Sequence, residues 1–189
     1  MPSLPPLTLL DGTEAAHGAA RLAELPLVPM HWLAPYPGRE AAFSEALQAA
    51  HGLRFPEPGQ SARRSAQQTS QAGAVEIRWA GRAQAVLIGP DAADPSLATH
   101  GAVTDVSDVW TRLALAGPAT PDVLARLVPL DLRRQSFPPG RTARTLLGHI
   151  AAHLTATQDG IELMVMRSYA RTAFHEVEAA MRRVAARPV

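Results

Sequence analysis

Apolar residues along this chain recur with two different spacings. Over Arg39 to His51, Phe43, Ala46, Leu47 and Ala50 fall three or four apart, which puts them on one face of a helix. Gly52 ends that helix, because glycine accepts the left-handed backbone of a helix C-terminus. Ahead of it, MHWLAPYPG after Val28 reads as an extended segment. From Val75 the spacing becomes two: Val75, Ile77 and Trp79 share one face of a strand, the Gly81-Arg82 turn follows, and AQAVLIG returns as the second strand of a hairpin. Leu53 to Gly73 keeps neither spacing and is dense in Pro, Gly, Ser and Gln, so a long loop is expected there. Residues 1–27, rich in Pro, Ala and Leu, also lack a period and are expected to form an arm.

The plan repeats further on. WTRLALA sets Thr111, Leu113 and Leu115 on one face of a strand. Thr120-Pro121-Asp122 then supplies an N-cap, a first helical residue with preset φ and a charge suited to the helix dipole, predicting a helix to about Leu127. Leu146 to Ala156 alternates as one strand, turns at Gln158-Asp159-Gly160 and returns over Ile161 to Val165. Ser168 is placed to cap a last helix whose Phe174, Val177, Met181 and Val184 form an apolar stripe, with Glu178 and Arg182 in the favourable i,i+4 order. Two β-α-β-β half-units, residues 28–100 and 101–189, the second closed by a further helix, predict an α+β protein.

At 189 residues the chain can bury a core without staples. It has no cysteine, which removes disulfides, thiolate catalysis and Cys-ligated metal centres, and is in keeping with a reducing compartment. The N-terminus lacks a basic region and a continuous apolar run, and no stretch reaches the roughly 20 apolar residues of a membrane helix, so a soluble, cytoplasmic protein is expected. All 18 basic residues are arginine, against 17 acidic ones, for a net charge of +1. Codon bias accounts for that usage, although arginine also suits interfacial carboxylates. The pairs Arg63-Arg64, Arg133-Arg134 and Arg182-Arg183 lack the basic stripe and interleaved aromatics of a nucleic-acid binder, so no nucleic-acid partner is expected.

Candidate chemistry is sparse. His149 and His153 have the spacing of a helical zinc site, but in an alternating strand they stand about 13 Å apart, too far to share one ion. Asp105, Ser107 and Asp108, with His100 nearby, contain acid–base residue types, yet Asp and Ser ahead of a strand ordinarily serve as turn and cap groups. Neither GxGxxG nor GxxxxGK occurs. The expectation is no catalytic, cofactor-binding or metal site on this chain.

Four phrases occur in a fixed order: AVTDVSDVWTRLALAGP (Ala102 to Pro118), VPLDLRRQSFPPG (Val128 to Gly140), RTLLGHI (Arg144 to Ile150) and LMVMRSYAR (Leu163 to Arg171). Together they resemble the γ subunit of heterotetrameric sarcosine oxidase, clearly over the C-terminal half and in outline before it. The resemblance implies a reduced form of the folate-binding aminomethyltransferase-like fold. It also implies a non-catalytic structural subunit beside α, β and δ partners, with FAD, FMN, NAD and tetrahydrofolate held by the other subunits. The complex would demethylate sarcosine oxidatively to glycine, forming hydrogen peroxide and passing the one-carbon unit to tetrahydrofolate or releasing it as formaldehyde, and this chain would support the folate-type domain of α. A free-standing folate-binding aminomethyltransferase-like protein of one-carbon metabolism is the alternative. Candidate subunit-contact residues are Phe137, presented by the rigid Pro138 and Pro139, with Arg144, Arg167 and Tyr169. For Phe137 and Tyr169, filling the chain's own core is the competing role.

Overall fold

The computed structural model describes residue 10 and residues 12–64, 74–89 and 93–187. Eleven strands and three α-helices among them divide between two compact units. One holds the described residues of Met1–Leu27 and Arg144–Val189 together with Asp108–Pro139; the other holds those of Val28–Ser107 together with Gly140–Ala143.

The first unit is built on a six-stranded sheet with the order β1-β2-β8-β11-β10-β9. Its strands are β1 (Glu14–His17), β2 (Ala20–Glu24), β8 (Trp110–Ala116), β9 (Thr142–Leu147, whose first two residues group with the other unit), β10 (Ile150–Ala156) and β11 (Gly160–Met166). Residues 14–24, expected within the aperiodic arm, are thus a hairpin whose β2 pairs antiparallel with β8, Leu22 opposite Leu115. The signal was weak because those strands span only four and five residues and their pairing partner lies some ninety residues on. The single strand expected over Leu146 to Ala156 is also broken. Gly148, at φ 60°, turns the chain between β9 and β10, since a left-handed backbone interrupts the pleat.

Alternation along β8, β10 and β11 splits the sheet's residues by face. Leu22, Leu113, Leu115, Leu154, Leu163 and Val165 are buried on one of them. Helix α3 (Ala170–Ala185) packs against β1, β2 and β11 and buries Ala173, Phe174, Val177, Ala180 and Met181; of the expected stripe, Phe174, Val177 and Met181 are buried and Val184 is half-buried. Ser168 does not cap it. A 3-10 turn over Arg167–Tyr169 leads into the helix, with Tyr169 at the N-cap and no side-chain cap bond. Helix α2 (Thr120–Leu124) is likewise shorter than expected, and Thr120 is its buried first residue, with a hydroxyl that donates to Leu115 O at 3.4 Å.

The second unit has a five-stranded antiparallel sheet, ordered β4-β5-β6-β3-β7. Its strands are β3 (Met30–Pro35), β4 (Ser61–Arg64), β5 (Val75–Gly81), β6 (Gln84–Ile88) and β7 (Gly101–Asp105). Helix α1 (Glu40–His51) ends at Gly52 with φ 68° and supplies Phe43 and Leu47 to a cluster with Leu33, Ile77, Leu87 and Leu97. Phe55 meets Phe43 edge-on at 6.0 Å. The loop expected from Leu53 to Gly73 contains β4 at Ser61–Arg64; residues 65–73 lie outside the described set. Strand β7 places residues 101–107 in this unit, beyond the boundary expected at residue 100, because β7 pairs with β3.

Candidate functional site

Strands β8 and β11 run antiparallel with Trp110 opposite Met166 and Ala116 opposite Gly160, so two ends of one ladder carry different surfaces.

At the Trp110–Met166 end, three large apolar side chains stand in solvent: Val109 is 38% exposed, Met166 44% and Tyr169 49%. The backbone holds them there. Arg167 N–H donates to Val109 O at 2.8 Å, and the Arg167 guanidinium reaches Asp108 at 3.3 Å. That ion pair is largely exposed on the Asp108 side and adds at most about 1 kcal/mol. Exposed Met and Tyr side chains with an arginine at the same end of the ladder are residue types enriched in protein–protein contacts. Of the residues singled out in the sequence, Arg167 and Tyr169 lie in the turn at this end. Met166 and Val109 were missed, although a methionine at the last position of a strand and a valine just before another are their signal.

The opposite end opens into a cleft of about 380 Å³. Three loops form it: the β8–α2 turn at Gly117 and Pro118, the β10–β11 turn over Thr157 to Gly160, and the segment from Leu132 to Pro139. Phe137 is only 7% exposed and makes part of the cleft wall with Pro139, while Pro138 faces solvent. Asp131 braces that segment. Its carboxylate accepts from Arg133 at 2.7 and 2.9 Å and from the Ser136 hydroxyl at 2.7 Å, which holds its pKa well below the ordinary aspartate value. Arg144 lies apart from both ends, exposed on the sheet's edge strand β9.

The sheet face opposite α3 carries buried polar groups. His153, Thr155 and Glu162 are each under 10% exposed, and Glu162 accepts from Arg112 Nη1 at 3.3 Å. Arg112 also donates to Pro26 O at 3.2 Å. A carboxylate at this depth is tolerable only because it is paired.

The other acid–base candidates are committed locally. Ser107 donates to Asp105 Oδ1 through its amide at 2.9 Å and its hydroxyl at 2.6 Å, and the same hydroxyl accepts from Met30 N–H at 3.0 Å. These bonds lower the Asp105 pKa, hydroxyl first. They form a turn rather than a nucleophile–base pair, since the serine proton points at the carboxylate of its own loop. Asp108 instead faces Arg167, and His100 follows a 3-10 turn over Pro95–Thr99 in the other unit. His149 sits exposed in the β9–β10 turn, whereas His153 is buried within β10. Among the described residues no three His, Asp or Glu side chains gather into a metal site, and no helix is long and apolar enough to cross a membrane.

No protein-family model matches the chain, and no curated protein does. Solved structures do. A chain of the heterotetrameric sarcosine oxidase from Corynebacterium sp. U-96, solved in complex with pyrrole 2-carboxylate, superposes with a TM-score of 0.74 at 26% identity, over 93% of this chain and 90% of that one. The glycine cleavage system aminomethyltransferase T from Bartonella henselae matches with a TM-score of 0.57 at 16% identity, over 85% of this chain but 46% of that one. The protein is therefore an α+β chain of folate-binding aminomethyltransferase-like fold, about half the length of that transferase and a near-full-length structural counterpart of a heterotetrameric sarcosine oxidase chain.

Proposed function

We propose that this chain is the γ-type, structural subunit of a heterotetrameric sarcosine oxidase, without catalytic residues of its own. The observation that carries the reading is the two-way coverage of the sarcosine oxidase chain, 93% and 90%: a domain of a larger enzyme would leave much of its counterpart unmatched, as the transferase comparison does. The surface agrees. The candidate residues Asp105, Ser107 and Asp108 are engaged in a turn and an ion pair, while apolar side chains are exposed at Val109, Met166 and Tyr169. In this reading α, β and δ subunits hold FAD, FMN, NAD and tetrahydrofolate, and the cytoplasmic complex demethylates sarcosine to glycine with peroxide formed. The one-carbon unit passes to tetrahydrofolate or leaves as formaldehyde. The present chain steadies the folate-type domain of α through the Met166–Tyr169 corner. A free-standing folate-binding protein draws only on the transferase match, which is fold-level.

Co-expression of the α, β and δ subunits with and without this chain tests the proposal. Omission should leave flavin bound but yield an α subunit that is unstable or poorly assembled. Full assembly, stability and activity without the chain would overturn it.

A further inference from the structure

The cleft at the Gly117–Gly160 end plays no part in that assembly scheme, and its composition points to a small ligand. Its base is apolar: Leu132, Phe137, Ala156 and Ile161 are each 5–7% exposed. Its volume, about 380 Å³, falls in the range of small-molecule sites, which pair apolar walls with a few placed polar groups. The walls are also set in advance. Asp131 ties Arg133 and Ser136, Phe137 N–H donates to Arg133 O at 2.8 Å, and Thr157 Oγ1 accepts from Gly160 N–H at 3.1 Å.

Two opposite charges stand at the cleft, Arg134 and Asp159. Arg134 donates from Nη1 to Gln158 O and from Nη2 to Gln158 Oε1, both at 3.1 Å. These acceptors fix the plane of the guanidinium and leave its charge uncompensated. Asp159 follows Gln158, and its carbonyl accepts from Gly117 N–H at 3.3 Å, which anchors its backbone. Among the described residues neither charge is in an ion pair, and both line the same recess as the apolar base.

We propose that this cleft binds a small zwitterion bearing an apolar group, the chemistry of a hydrophobic amino acid. Arg134 receives the carboxylate, Asp159 the ammonium, and Phe137 with Leu132 and Ile161 the side chain. Because both charges are exposed, each contributes a few-fold in affinity rather than orders of magnitude.

The test titrates three probes into the full-length chain: L-leucine, 4-methylpentanoate, which lacks the ammonium, and 3-methylbutylamine, which lacks the carboxylate. Amide shifts of Thr157, Gln158 and Gly160 report binding. Expected are saturable shifts with L-leucine in the millimolar range, and roughly three- to fivefold weaker binding of each singly charged probe. Arg134→Gln should weaken L-leucine and 4-methylpentanoate to a similar extent while leaving 3-methylbutylamine unchanged. No saturable shift by about 50 mM, equal affinities for all three probes, or an Arg134→Gln protein that binds L-leucine normally would overturn the proposal. The probe series on the parent protein decides the matter even if the variant folds poorly.

Discussion

Truncating Phe137 separates folding from assembly at the position where the sequence left both roles open. The ring is 7% exposed beside Leu132 at 5%, so the side chain is part of this chain's own packing. Fully buried Phe→Ala changes cost about 3–5 kcal/mol, the spread reflecting the cavity left behind. Here the cleft already borders the ring, so little new enclosed void forms, and the loss should fall near the low end, about 3 kcal/mol. Urea unfolding of the isolated full-length protein reads this directly, with signals assigned to each unit because the two need not unfold together. The first unit should lose about 3 kcal/mol with its m-value unchanged. A loss below about 1 kcal/mol, accompanied by weakened association with the other subunits, would refute the core placement and return Phe137 to an interfacial role.

At the other end of the ladder the balance should invert: Tyr169→Ala, alone or with Met166→Ala, should change stability by no more than about 0.5 kcal/mol and weaken association by about 2 kcal/mol in a binding titration with the partner subunits. Gly160→Ala should cost about 2–3 kcal/mol in thermal or urea unfolding, because a Cβ there runs into the carbonyl oxygen of Leu115 and comes within 2.9 Å of Ala116 Cα, forcing β11 away from β8. Glu178 on α3 accepts from Arg182 at 2.6 Å and lies 3.2 Å from His17 on β1, contacts that lower its pKa, the His17 bond first. A carboxylate with a depressed folded pKa stabilises fully above its unfolded value and loses that contribution as pH falls through the folded one. Stability should therefore decline as pH drops below the ordinary 4.5, and Glu178→Gln should decline less over the same range when both are followed by urea unfolding.

Elements with strong local periodicity were legible. The α1 face of Phe43 and Leu47, the α3 stripe and the alternating β8 all have spacings that one element explains by itself. What local spacing misses is pairing across long separations. Strand β1 shows only an Ala-rich tetrad, and it becomes a strand because β2 docks on β8. The helix caps depart from the residue types that suggest them for a related reason. Ser168 and Thr120 have the right residue type, but a 3-10 turn precedes α3 and packing draws Thr120 inward. For the site, Arg167 and Tyr169 were visible in a distinctive phrase, whereas the cleft was not, since its walls come from three loops whose only common feature is their place at one end of a ladder.

As the γ-type subunit proposed above, this chain would be one part of a four-part oxidase. Native mass spectrometry of the affinity-purified assembly, after co-expression of the tagged chain with the α, β and δ subunits, measures that directly. A single dominant species containing one copy of each subunit is the predicted result; a complete α, β and δ assembly that excludes the tagged chain, which instead flies alone, would contradict it.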